Sequence, residues 1–515
     1  MNFIRSISAV LAAGALILCS SCSQKSEESN KLVILHTNDT HSQILPGSDG
    51  LGGVMRRMAV IDSVRKAEPN VMLIDAGDAV QGTLYFYLYG GVVEQELLNL
   101  MDVDLRILGN HEFDNGIDSL ATVLKRSKTT KLASNYNLED TPLKGMFQPY
   151  QIKEVNGKKI GFLGINLNPD GIIAKGNYDG LEFLPIVATA NAAAAKLKEE
   201  ENVDAVIAIT HIGYNPAGLV GDSVLAVNSK NIDVIIGGHS HDVIDPSTEK
   251  GYRRSHMTNL EGKPILVVQT GKAGRNLGKI EINLDSLGVY PKYELIKIDG
   301  RYDNYLNQQI ADTIAKYSAG VDSLMHDWIG TTEKEMSNSG LPLLNFFADY
   351  VLDRGKELTG NVDLSIVNKG GLRASIPEGN FSKGHIINMV PFRNYVNVVR
   401  MKGSDLADVF KVMALTDGNG VSANVRVKYE HDDDEPEVDE ILINGKPLDI
   451  NKTYNVATID YLAKGGDYMT GFTHGNVIAQ SPNAVFDDLI YYFTEGKGKG
   501  KPLTGSAENR WSVAN

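Results

Sequence analysis

A layered α/β domain, joined by a helix to a smaller α+β unit, is the architecture expected of this chain. From Lys31 to residue 301, short apolar runs of strand character alternate with stretches of helical periodicity, the pattern of a layered α/β domain. Around Tyr302–Trp328 the sequence turns polar and helical, with no strand signal. After Ile329 a second unit begins with helix and strand signals of its own. The length of 515 residues agrees, because it exceeds what one ordinary core holds.

In the first domain the expected strands are Leu32–His36, Val71–Asp75, Leu105–Leu108, Ile160–Ile165, Ala205–Thr210, Val234–Gly237 and Ile265–Gln269. Between them Val54–Glu68 and Ile186–Glu200 place apolar residues at helical spacing. Residues 302–328 form the joining helix. In the second unit, residues 329–515, Leu341–Leu358 and Lys402–Met413 are expected as helices, and Asp363–Val367, Val396–Met401 and Val425–Tyr429 as strands. The acidic run Asp432–Glu440 is expected as a solvated hairpin loop. Gly496–Pro502 is glycine-rich but lacks the spacing of a phosphate-binding P-loop.

The net charge of -14 excludes a coat for nucleic-acid polymers, which are bound through basic surfaces. No run after the N-terminus is long and apolar enough to span a bilayer. Both cysteines, Cys19 and Cys22, fall at that N-terminus, where Arg5 precedes an apolar stretch, Ile7–Leu18, and the small residues Ser20 and Ser21 precede Cys22. Residues 1–22 therefore read as a signal peptide of the lipoprotein type, with Cys22 lipidated and residues 23–30 as a polar tether. The expected location is the cell envelope after export, with membrane contact through the lipid only.

The chemistry lies just past the strand ends. The first strand runs into Asn38-Asp39-Thr40-His41, the second into Asp75-Ala76-Gly77-Asp78, the third into Asn110-His111, the fifth into Thr210-His211 and the sixth into Gly238-His239-Ser240-His241. In an open α/β sheet such carboxyl ends converge on one crevice. Asp39/His41 and His239/His241 are i,i+2 pairs, which extended chain projects to one side. Five of the 11 histidines stand in these positions, which reads as a metal centre rather than packing. The donors are too many for one four-coordinate ion and suit two ions sharing a carboxylate. Two ions roughly 3.5–4 Å apart form a clamp for in-line attack of water on phosphorus, so phosphoester hydrolysis is the leading chemistry. His111 and Asp114 can be spared from ligation: an imidazole oriented by a carboxylate can stabilise the transition state or protonate the leaving group.

The segments Ile34–Ser42 (ILHTNDTHS), Asp75–Gly82 (DAGDAVQG), Gly109–Asp114 (GNHEFD), Thr210–Gly213 (THIG) and Gly237–His241 (GGHSH) resemble, in order, the motifs of the 5′-nucleotidase family of calcineurin-like metallophosphoesterases. The resemblance implies an α/β/β/α sandwich followed by a C-terminal nucleotide-binding domain. It implies that Asp39, His41 and His241 hold one divalent ion and Asn110, His211 and His239 the other, with Asp78 bridging. Zinc suits that set, and manganese, cobalt or iron are compatible. It also implies that His111, paired with Asp114, meets the phosphate, and it leaves Glu112 and Phe113 without a role, packed or facing solvent.

In the second unit Asn368–Arg373 (NKGGLR), Pro391–Asn394 (PFRN) and Tyr461–Asp467 (YLAKGGD) are similar to the family's substrate segments. By that likeness Asn368 and Arg373 contact substrate, Phe392 and Tyr461 grip the base, Asn394 adds a contact and Asp467 bonds the ribose. The chain departs from the family at Ser337–Leu344, where relatives commonly carry a phosphate-binding Arg and this sequence has none. The expected activity is release of phosphate from nucleotides, 5′-monophosphates first. The same scaffold admits 2′,3′-cyclic and 3′-nucleotides or nucleotide sugars, and a lipoprotein that binds nucleotides without catalysis is the remote alternative.

Overall fold

A computed structural model describes residues 30–513 apart from 217–218, 252, 417 and 431–436. The expected signal peptide, Cys22 and all of the tether but Asn30 lie outside the described residues, as does most of the acidic run 432–440. Among the described residues no helix is long and apolar enough to cross a membrane.

Two sheets face each other in the first domain. One runs in the order Lys292–Lys297, Asn276–Asn283, Lys31–Thr37, Val71–Asp75, Leu105–Arg106, Thr130–Lys131. The other runs Val243–Ile244, Pro264–Thr270, Val234–Ile236, Ala205–His211, Lys158–Asn166, Tyr150–Val155. The period-2 alternation of strand side chains divides each strand between two cores. Leu32, Ile34, Met72 and Ile74 meet Phe162, Ile207, Ile209 and Val268 between the sheets, while Leu35 and Leu73 pack outward with the helix Val54–Ala67. On the far side Leu163, Val206 and Ala208 pack outward with the helix Ile186–Glu199. The layers are therefore α/β/β/α. The central strands of both sheets are parallel, so their carboxyl ends share one edge of the sandwich.

The third strand is shorter than expected and pairs only over Leu105–Arg106. Ile107 still donates to Asp75 O at 3.2 Å, but the carbonyl of Leu108 accepts Asn166 Nδ2 instead of a neighbouring strand. That side-chain bond turns the chain out of the ladder directly before Gly109.

The C-terminal unit holds a five-stranded sheet in the order Gly420–Val421, Leu364–Val367, Thr453–Ile459, Tyr395–Lys402, Asn476–Ala484. The helix Leu341–Thr359 lies on it, and a Cβ on Gly355 would stand 2.7 Å from Ala457 Cβ, so the bare backbone permits that close contact. Between the units the helix Gln308–Met325 starts at an Asn307 cap whose side chain accepts from Ile310 N. It packs against Leu84–Tyr89 and Val92–Leu100 of the first domain and against Lys383–Met389 of the second. Tyr89 donates its hydroxyl to Tyr317 O at 2.9 Å, and Gly384 leaves room for Leu84 and Met325 to approach it together.

His36, at the centre of the first strand, is fully buried and neither ring nitrogen has a hydrogen-bond partner. Its Nε2 lies 2.0 Å from where a Cβ on Gly278 would be. Burial pushes its pKa down to about 3, so between that value and the ordinary 6.5 the unfolded chain binds a proton that the folded chain refuses. Stability is therefore complete above about pH 6.5 and falls as pH drops, by about 2 kcal/mol from this group between pH 7.5 and 5. Unfolding free energies of metal-free wild type and His36→Leu at those two pH values should differ by that amount in their acid loss. An equal loss in both proteins would remove His36 from the pH dependence.

Candidate metal centre

The site grows from the loops at that shared edge. Past the first strand, Asn38 ties two loops together: its Oδ1 accepts Thr270 N and Oγ1, and its Nδ2 donates to Gly271 O and Asp39 Oδ2. Asp39 N and His41 N then donate to Gly77 O and Asp78 O, both at 3.0 Å, joining the first loop to the second.

The i,i+2 pairs are not in extended chain, as the spacing suggested. Asp39, His41, Asp78, His239 and His241 all have positive φ, between 47° and 81°. The chain has left the ladder, and left-handed turns direct these side chains inward. Such turns cost a non-glycine residue roughly 1–3 kcal/mol each and collect where surrounding contacts over-determine them, at functional sites above all.

All seven proposed ligands meet in one place. The ligand atoms of Asp39, His41 and His241 lie within 4.8 Å of one another, as do those of Asp78, His211 and His239, and those of His41, Asp78 and His111. His41 Nε2 is 2.9 Å from His241 Nε2, which is 3.3 Å from Asp39 Oδ1. His239 Nδ1 is 2.8 Å from Asn110 Oδ1, and His211 Nε2 is 3.2 Å from Asp78 Oδ2.

These donors fit divalent ions. His211 Nδ1 donates to Ala76 O at 2.7 Å, which leaves Nε2 as a bare lone pair, fully buried and without a hydrogen-bond partner. A lone pair facing a carboxylate is repulsive unless a cation or a proton lies between them. Without the metal His211 keeps the proton: burial opposes it, but Asp78 and Asp39 prevail and push its pKa up to about 10. His239, disfavoured by burial and by His211, is pushed down to about 4 and stays neutral, the form that binds metal. Asp39 is held below the carboxylate range by His211 and His241 in spite of burial.

His111 stands beside this cluster. Its Nδ1 is 2.9 Å from Asp114 Oδ2, which also accepts Gln81 Nε2 at 3.0 Å. Burial works against a charged imidazole here, but Asp114 and Asp78 outweigh it and raise its pKa. Gln81, unassigned from the sequence, fixes the carboxylate that fixes the histidine.

The C-terminal unit supplies the opposite wall of a cleft of about 580 Å³. Asn368, Arg373, Phe392, Asn394, Tyr461 and Asp467 all line it together with His111 and Asn110. Phe392 stacks on His111, ring centroids 5.6 Å apart, and the Arg373 guanidinium lies over Phe392 with Nη2 3.2 Å from His41 Nε2. Asp467 is already engaged: Tyr461 donates its hydroxyl to Oδ1 at 2.8 Å and Asn368 Nδ2 donates to Oδ2 at 2.7 Å.

Of the two residues left without a role, Glu112 is packed rather than facing solvent: it is 6% exposed, with its carboxylate bonded to backbone amides and to Arg106. Phe113 is buried, as packing required. Asp222 was missed as well. It accepts Thr210 Oγ1 and Gln269 Nε2, and Gln269 Oε1 accepts Ser240 Oγ inside the His239–His241 turn. Most of these bonds join residues 12 or more positions apart in sequence, and no local spacing announces them.

This sandwich with its convergent His, Asp and Asn donors is that of a calcineurin-like phosphoesterase, whose family description matches residues 32–243. Residues 324–474 match the 5′-nucleotidase C-terminal domain, and with both parts in this order the chain belongs to the 5′-nucleotidase family. It is 28% identical to the trifunctional nucleotide phosphoesterase protein YfkN of Bacillus subtilis (strain 168) over 89% of this chain, although it spans only 34% of that longer protein. Against 5′-nucleotidase of Rattus norvegicus it is 28% identical, covering 85% of this chain and 83% of the relative. The crystal structure of a 5′-nucleotidase precursor from Thermus thermophilus is similar with a TM-score of 0.82 and 27% identity, over 94% of this chain and 99% of that one.

Proposed function

We propose that this metallophosphoesterase releases phosphate from nucleotides, 5′-monophosphates in particular. One observation carries the reading: the Asp/His clusters that share Asp78 open into the same cleft as Arg373, Phe392 and Tyr461. A phosphoester held at the clusters thus has an aromatic wall within reach of its base.

Asp39, His41 and His241 would hold one ion, Asn110, His211 and His239 the other, and Asp78 both. Two such ions supply a polarised water and neutralise phosphoryl oxygens. His111 donates to a phosphoryl or leaving-group oxygen, with Asp114 holding Nδ1 and so aiming the other nitrogen. Arg373 adds a cation to the phosphoryl oxygens. Lys272 stands nearby on the exposed side: the backbone N–H of the next residue, Ala273, donates to Asp39 O at 2.7 Å. Phe392 and Tyr461 offer ring faces that accept any base, and Asp467 meets the ribose. The same reading divides the chain at residues 301 and 329 and anchors it after export by a lipid on Cys22.

A second reading, cyclic or 3′-nucleotides or nucleotide sugars as substrate, is favoured by one departure. The helix Leu341–Thr359 has no basic residue in its first turn or in the segment leading to it, Ser337–Gly340. Phosphate release by the purified protein with divalent metal, over 5′-, 3′- and 2′,3′-cyclic nucleotides, nucleotide sugars and an aryl phosphate, separates the two. We expect 5′-monophosphates to lead in kcat/KM by at least about tenfold, or about 1.4 kcal/mol of transition-state binding. A lead for cyclic or diester substrates would replace the substrate and keep the chemistry. Metal binding with no phosphate release from any of them would overturn both.

A further inference from the structure

We propose that Glu112, which is not a metal ligand, is the positioning residue that sets Asp78 and Asn110 in register and thereby fixes the affinity for the divalent ions. The inference rests on the metal reading above and concerns how that site is built.

Asp78 and Asn110 belong to loops that follow two neighbouring parallel strands, Val71–Asp75 and Leu105–Arg106. The short turn His111–Phe113 brings the Glu112 carboxylate back between those loops. Its Oε2 accepts Asp78 N at 3.0 Å and Gly109 N at 2.5 Å, and its Oε1 accepts Ala79 N at 3.0 Å. Arg106 Nη2 donates to the same Oε1 at 3.2 Å, and its Nη1 donates to Gln95 Oε1 at 3.1 Å. Three amides from two loops thus end on one buried anion, and a guanidinium that is itself held from behind compensates its charge.

Only an ionised carboxylate fits this place. All four partners are donors, and a carboxylate is an acceptor at both oxygens, whereas a glutamine amide would turn an NH₂ toward one of the backbone N–H groups. The nesting is tight as well: a Cβ on Gly109 would lie 2.1 Å from Asp78 Oδ1 and 2.6 Å from Asp78 N. Three of the four bonds go to residues 78, 79 and 109 at the ligand edge, so losing the anion loosens the bridging carboxylate before it loosens the core. Groups that orient ligands in this way typically change metal affinity by 10–100-fold when removed.

The test is titration of the full chain, stripped of metal, with Mn²⁺ alone, followed calorimetrically for wild type, Glu112→Gln and Arg106→Gln. We expect Glu112→Gln to weaken binding by at least about tenfold, Arg106→Gln to weaken it less, and excess Mn²⁺ to restore turnover in both. A folded Glu112→Gln protein with wild-type Mn²⁺ affinity would overturn the proposal, and so would a lowered melting temperature with affinity unchanged, the mark of a merely structural group. If Glu112→Gln does not fold, Arg106→Gln decides, and unchanged affinity there overturns the proposal. Wild type that binds no Mn²⁺ would instead sink the metal reading beneath it, so the two failures are told apart.

Discussion

Replacing His111 with alanine should lower kcat on the best nucleotide by roughly two to four powers of ten while leaving the metal content intact. The ring lies in the substrate cleft, and its Nδ1 is committed to Asp114, which is itself committed to Gln81. The remaining nitrogen is therefore free for a phosphoryl or leaving-group oxygen. A competing geometry exists, because the ligand atoms of His41, Asp78 and His111 also lie within 4.8 Å of one another. Steady-state rates together with elemental analysis decide: fewer bound ions in the variant would make His111 a ligand, and retained turnover would take it out of the mechanism.

A larger loss should follow from Asp78→Asn. Asp78 shares one cluster with His211 and His239 of one proposed ion and another with His41 of the other, so removing its charge should weaken both ions at once, whereas His241→Ala touches one. We expect activity to fall by at least about three powers of ten, or about 4 kcal/mol, and both ions to be lost on dialysis. The single oxygen and the NH₂ of asparagine cannot bridge as a carboxylate does, yet its size leaves the loop backbone undisturbed. Asp78→Asn that still carries two ions after dialysis would show that another group bridges them.

Much of this was legible because the chemistry stands where periodicity ends. Val71–Asp75 was bounded to the residue by its apolar run, and the polar clusters after each strand pointed to one edge of a sheet. What escaped was whatever depends on partners remote in sequence. Leu105–Leu108 looked like four residues of ladder, but Asn166, beyond the reach of any local pattern, takes the Leu108 carbonyl. Asp39 and His41 read as extended because spacing carries no sign of φ. Glu112 looked dispensable because three of its four partners are backbone amides, which every residue but proline has and which no sequence displays.

The helix between the two units has a further consequence. One apolar cluster takes in Leu84, Val93 and Leu97 of the first domain, Ile310 and Val321 of the helix, and Phe381, Ile386 and Met389 of the second unit. The units are thus not beads on a string. A chain cut after Met325 would keep that helix but bare the face that Lys383–Met389 covers, and a fragment beginning there would show water the complementary half, surfaces of the kind that drive aggregation. Transplanting either half onto a foreign partner would first require recreating this seam, so in this protein the joint between the phosphoesterase domain and the C-terminal domain is inherited with both of them.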